Sequence, residues 1–152
     1  MMEREKALER MMRLCSRSEH SSGEIAEKLL KLEAQDAAGI VAQLQKDGFI
    51  DDRRFAAAFV HDKSILQGWG SLKIKLALQR KGVAQQIISE VMEDMETGKA
   101  DERLESLLRT KWRSLSSEED LEKKKMKLFR YALGRGYEYG QIKRIYDIIR
   151  SN

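Results

Sequence analysis

Apolar residues recur along this chain at spacings of three and four, as in helices that bury one face, and glycines at 48, 68, 70, 82, 98, 134 and 136 separate the runs. A first helix is predicted over Glu5 to Ser16, where Leu8, Met11, Met12 and Cys15 share a face, which makes Cys15 a core thiol. Ser21-Ser22-Gly23-Glu24 reads as a capping box: the Ser21 hydroxyl accepts from the amide three residues on, and Glu24 reaches back. Ile25, Leu29 and Leu32 then line the second helix. The third, Gln35 to Lys46, presents Ala37, Ile40, Val41 and Leu44, although Gly39 weakens it by up to about 1 kcal/mol relative to alanine.

Asp51-Asp52 opens a fourth helix as two N-terminal caps, followed by Phe55, Ala56, Phe59 and Val60. Ser71 to Lys81 forms a fifth, with Leu72 and Leu76 and the pair Ile74 and Leu78; Val83 to Glu96 forms a sixth, with Ile87, Ile88, Val91 and Met95. Three more are predicted at Asp101 to Arg113, Glu118 to Leu133 and Tyr139 to Arg150, with Ser117 and Asp120 as a cap signal.

The segments can be laid over one another. With Gln35, Gly82 and Gly136 at one level, Ile25 falls over Leu72 and Met126, Val41 over Ile88 and Ile142, and Leu44 over Val91 and Ile145. Leu29 falls over Leu76 but then over Arg130, so either the third copy has drifted or the register slips there. The expectation is an all-α fold of three tandem three-helix repeats, at 1–50, 51–97 and 98–152, each too short to stand without burying its apolar faces.

Composition agrees with helices: there is no proline, 36% of residues are charged and 7% are aromatic. A single cysteine excludes an internal disulfide, and no apolar run is long enough for a leader or a membrane span, so a soluble cytoplasmic chain without a membrane partner is expected. Acids and bases nearly balance over 1–97, and the net charge of +4 comes from 98–152. There Lys123, Lys124, Lys125, Lys127, Arg130, Arg135, Lys143 and Arg144 cluster, and a second stretch with Lys73, Lys75, Arg80 and Lys81 holds no carboxylate. Such stretches attract polyanions or acidic protein surfaces. Lys123, Lys127 and Arg130 fall on one stripe opposite Leu121, Leu128, Phe129 and Ala132.

Catalytic constellations are missing. No phosphate-cradling loop is present, and Gly134-Arg135-Gly136 reads as a helix end. His20 and His61 lack ligands at metal spacing, and His61-Asp62 has no nucleophile in place. The chain is therefore expected to be no enzyme, with no cofactor, metal or small-molecule ligand. Trp69, between two glycines, and Trp112 are read as packing residues, with base stacking the alternative.

The string Gly48-Phe49-Ile50-Asp51-Asp52-Arg53-Arg54-Phe55-Ala56, then Gly68-Trp69-Gly70 with Lys73-Ile74 and Leu78, then Lys81-Gly82-Val83, resembles the RecX family of bacterial regulators of the RecA recombinase. The tail Lys127 to Tyr137, followed by Ile142 and Ile145, looks like the family's third-repeat ending, and Ser21 with Glu24 through Leu30 like its first-repeat opening. The family's first repeat usually has a basic, glycine-containing link between its second and third helices; here Lys31-Leu32-Glu33-Ala34-Gln35-Asp36 stands instead.

The resemblance implies an elongated, curved helical array lying in the groove of the RecA filament on DNA, restraining its extension or promoting its disassembly and so lowering recombinase, ATPase and co-protease activity in recombination and SOS repair. Lys73, Lys75, Arg80, Lys81, Lys123, Lys127, Arg130, Arg135, Lys143 and Arg144 are the candidate contacts to RecA or DNA. The alternative is a stand-alone, helix-turn-helix-like DNA binder. A peptide-binding scaffold would require an apolar groove, for which the sequence holds no surplus of apolar residues.

Overall fold

A computed structural model describes residues 1–95 and 99–151 of the chain. Among the described residues there are nine α-helices: α1 (Arg4–Arg17), α2 (Ser22–Lys31), α3 (Ala37–Lys46), α4 (Asp52–His61), α5 (Ser71–Arg80), α6 (Gln85–Met95), α7 (Ala100–Ser114), α8 (Leu121–Gly134) and α9 (Tyr139–Ser151). A π-helical turn, Asp62–Leu66, extends α4, with the Ser64 hydroxyl donating to the Val60 carbonyl at 2.6 Å. The expected helix end at Glu96 and break at Gly98 lie outside the described residues.

The helix ends follow from local chemistry. Ser21 and Glu24 form the reciprocal capping box, Asp36 accepts from the Gly39 amide, and Asp120 accepts from the amides of Glu122 and Lys123. Asp120 thus caps α8, not Ser117. Of the acidic pair, Asp51 caps α4 through the Arg54 amide, but Asp52 takes a different role: its carboxylate accepts from the amide and hydroxyl of Ser22 at 2.7 and 2.6 Å and so holds the start of α2.

Two compact units divide the chain: Met1–Phe59 with Ala77–Val91, and Val60–Leu76 with Met92–Asn152. In the first, Ala7, Leu8, Met11, Ile25, Leu29, Ile40, Leu44 and Ile50 form a buried cluster, with Cys15 and Leu32 packed half-buried at its edge. In the second, Leu104, Leu108, Leu128, Phe129, Ala132, Tyr137, Ile142, Ile145 and Tyr146 form the cluster, and Phe129 and Trp112 both meet the Tyr146 ring edge-on.

The repeat is real, but its register differs from the one aligned above. Ile25 and Leu29 of α2 correspond to Ile74 and Leu78 of α5 and to Leu128 and Ala132 of α8, all fully buried. Leu72 and Met126, two residues earlier, are 46% and 58% exposed, as is Leu76 at 46%. Ile40, Ile88 and Ile142 occupy one level in α3, α6 and α9. The link from Leu29 to Ile40 is one residue longer than those from Leu78 to Ile88 and from Ala132 to Ile142, so no single offset aligns both helices. The longer link holds Glu33 and Asp36 at positive φ and is pinned to the N-terminus, where Met2 bonds Glu33 and Gln35. Leu121, expected on the inner stripe of α8, lies in its first turn and is 68% exposed.

One joint occurs in each unit. In the first, the start of α2 lies against the turn after α5: the Ser21 hydroxyl donates to the Lys81 carbonyl at 2.6 Å, and a Cβ on Gly23 would fall 2.4 Å from that oxygen. In the second, the start of α5 lies against the turn after α8: Gly70 and Leu72 donate to the carbonyls of Arg135 and Gly136, and a Cβ on Gly70 would meet the Gly136 carbonyl carbon at 2.4 Å. Backbone approaches backbone so closely that neither helix start has room for a side chain.

Candidate polyanion-binding surface

The joint in the second unit brings cations and aromatic rings together. The Trp69 amide donates to the Lys63 carbonyl at 2.8 Å, and the ammonium groups of Lys63 and Lys73 lie 5.0 and 4.4 Å from the Trp69 ring centre. Cations within about 6 Å of an aromatic face gain from its quadrupole, so this half-buried ring holds two lysines near one corner. The Arg135 guanidinium donates to the Gln67 carbonyl, and the Tyr137 hydroxyl donates to that of Gly68 at 3.2 Å.

Beside this corner opens a cleft of about 530 Å³ lined by Ser64, Arg103, Thr110, Lys111, Tyr131 and Tyr137, with Ile65 and Leu107 as apolar neighbours. Its lining carries two cations and several hydroxyls and no carboxylate. Lys111 lies 4.7 Å from the centre of the Tyr131 ring. Burial pushes the Tyr137 phenol up, partly offset by Arg103 and Arg135, so it remains a neutral donor at physiological pH. Chemically, the cleft suits an anion that accepts hydrogen bonds.

Sequence reasoning did not single out Arg103 or Lys111, because Asp101, Glu102 and Glu105 balance them locally. The helical period separates the two sets. Arg103, Ser106, Leu107, Thr110 and Ser114 of α7 face this cleft, whereas Asp101, Glu102, Glu105 and Arg109 line another.

The sequence-nominated cations have unequal freedom. Lys73 sits on Trp69, and its Cβ abuts Gly136; Lys75 is half-buried on the same helix. In the first unit, Lys81 pairs with Glu24 at 3.1 Å, while Arg80 is exposed and makes no ion pair among the described residues. On α8, Lys123 and Arg130 are likewise exposed without an ion pair among the described residues, and Lys127 meets Glu118 at 2.7 Å, which holds the Glu118 carboxyl below its usual range. Arg135 is engaged in the joint. On α9, Lys143 lies 3.5 Å from Asp147, and Arg144 grips Asp101 through two hydrogen bonds of 2.8 and 3.1 Å. Those bonds, with one from Gln141, hold the Asp101 carboxyl below its usual value. Lys123, Lys127 and Arg130 therefore form the exposed group on α8, while Lys81, Arg135 and Arg144 are tied to neighbours within the chain.

Among the described residues, no cluster of His, Cys, Asp or Glu is arranged to hold a metal ion, and no helix is long and apolar enough to cross a membrane. Two family models match the chain: the second three-helix domain of RecX at residues 51–92 and the third at 100–146. The regulatory protein RecX of Chlorobium phaeobacteroides (strain BS1) is 30% identical over 146 residues, covering 95% of this chain and 93% of that protein. That of Clostridium botulinum (strain Eklund 17B / Type B) is 35% identical over 108 residues, and the match spans 70% of this chain but only 49% of that longer protein. A crystal structure of RecX from Lactobacillus salivarius superposes with a TM-score of 0.86 at 20% identity, covering 97% of each chain, a likeness of fold.

Proposed function

The chain belongs to the RecX family of regulatory proteins, and from that premise we propose that it binds the RecA filament on DNA and limits its recombinase, ATPase and co-protease activities. The observation that carries this reading is the match to both three-helix domain models, together with a relative aligned along nearly its whole length. The protein acts without chemistry of its own, in the cytoplasm, as a regulator in recombination and SOS repair. The repeats 1–50, 51–97 and 98–152 serve as separate contact modules, so that engaging more than one protomer raises avidity without a single strong contact. Exposed Arg80, Lys123, Lys127 and Arg130 support contact with DNA phosphates or acidic RecA surfaces.

The test is a DNA-stimulated RecA ATPase assay with this protein added below the RecA concentration. A falling rate is expected; an unchanged rate across a full titration rejects the reading. The carboxylate-free cleft beside Trp69 favours one second reading, direct DNA binding without RecA. Its log affinity should fall with log salt at about −0.9 per phosphate neutralised, whereas binding that needs RecA supports the first.

A further inference from the structure

The first fifty residues are nearly neutral, yet the fold separates their charges. Arg10, Arg13 and Arg17 recur along one side of α1, and Lys28 and Lys31 face them from α2 across a cleft of about 490 Å³. Its apolar lining is Met11, Leu14 and Leu32, and no carboxylate takes part. Lys31 pairs with Glu27 at 3.3 Å. Arg10, Arg13, Arg17 and Lys28 are all exposed and make no ion pair among the described residues. Three acids of this region are engaged elsewhere, Glu24 with Lys81, Asp36 with Arg4 and Glu19 with Arg54, and Glu27 meets only Lys31 at the rim.

We propose that this cleft binds a short acidic peptide segment of a protein partner, seating an apolar side chain between its carboxylates. Four cations without ion pairs around a carboxylate-free cleft call for an anionic ligand. The lining decides which kind. Single-stranded nucleic acid is held by aromatic stacking alongside charge, and no aromatic residue lines this cleft. A phosphodiester chain would also leave Met11, Leu14 and Leu32 uncovered. An acidic segment with a leucine or phenylalanine satisfies both, and methionine is a lining that adapts to either. Arg10 and Arg17 lie about 10 Å apart along the helix, a span that a few extended peptide residues cover. The site lies outside the residues matched by the family models.

The experiment is fluorescence anisotropy on the full chain. The probe is a labelled peptide of glutamates and aspartates around a central Leu-Phe pair; a Gly-Ser version and a labelled oligothymidylate serve as comparisons. The Leu-Phe peptide should bind, and more tightly than the Gly-Ser version. Arg13→Glu with Lys28→Glu should weaken it by about tenfold or more, while Lys6→Glu with Lys46→Glu, the same change in net charge outside the cleft, should leave it within about twofold. The pair Arg13→Ala with Lys28→Ala serves if the reversal unfolds the bundle, as judged by circular dichroism. Absence of peptide binding would overturn the proposal. So would equal loss from both reversals, or oligothymidylate binding that depends on Arg13 and Lys28 while the two peptides behave alike.

Discussion

Ser21 is fully buried and bonded three ways: its hydroxyl accepts from the Glu24 amide at 3.1 Å and donates to the Lys81 carbonyl, while its own amide donates to Glu24. Ser21→Ala should cost about 2–3 kcal/mol, combining a lost helix cap with a buried carbonyl left without its donor, read as a lower urea midpoint at unchanged m-value. Glu24 adds a pH dependence. Burial raises its pKa, but bonds from the Ser21 amide and Lys81 outweigh this and leave it below its ordinary 4.5. The unfolded chain then binds the proton more readily, so the contribution is complete above 4.5 and is lost as pH falls through the folded value. Glu24→Gln should flatten that part of the acid limb in a stability-against-pH series. The capping box was legible from four consecutive residues; the Lys81 contact, 57 positions away, was not, because no local pattern encodes it.

The helices themselves were largely legible, since an apolar stripe marks each one and a cap or a following glycine marks several of their ends. The register between copies was not, because the extra residue between Leu29 and Ile40 is visible only once burial is known. The joints were legible only in part: Gly70, Gly82 and Gly136 looked like punctuation and Gly23 like part of a capping box, whereas the structure packs backbone on backbone there. Gly70→Ala should therefore destabilise the second unit by roughly 3 kcal/mol or more, because the atoms in its way belong to the Gly136 and Tyr137 backbone. Gly48→Ala, at φ +81 with nothing within 4 Å, should cost only about 1 kcal/mol. Thermal unfolding of the two variants side by side checks the contrast.

For the whole chain, net charge is a poor guide to where charge acts. The C-terminal surplus led to α8, and Lys123 and Arg130 there are indeed exposed, but Arg135 and Arg144 from the same stretch are bonded within the chain. The balanced N-terminal region hides a cationic cleft, because helical phase, not composition, sorts its residues. Lys123→Glu with Arg130→Glu should raise the concentration needed for half-inhibition of the RecA ATPase by about tenfold, with the unfolding midpoint nearly unchanged, since both side chains are exposed. The proposed inhibition should also weaken as salt rises.

The division into two units has a practical corollary. Both tryptophans, Trp69 and Trp112, belong to one unit and the sole thiol, Cys15, to the other, where burial and Glu19 raise its pKa and slow its reaction with alkylating reagents. Intrinsic fluorescence and thiol trapping thus report on opposite halves of the chain without any added label. Because α4, α5 and α6 each contribute residues to both halves, the two signals should change at the same denaturant concentration, and separated midpoints would reveal halves that melt independently.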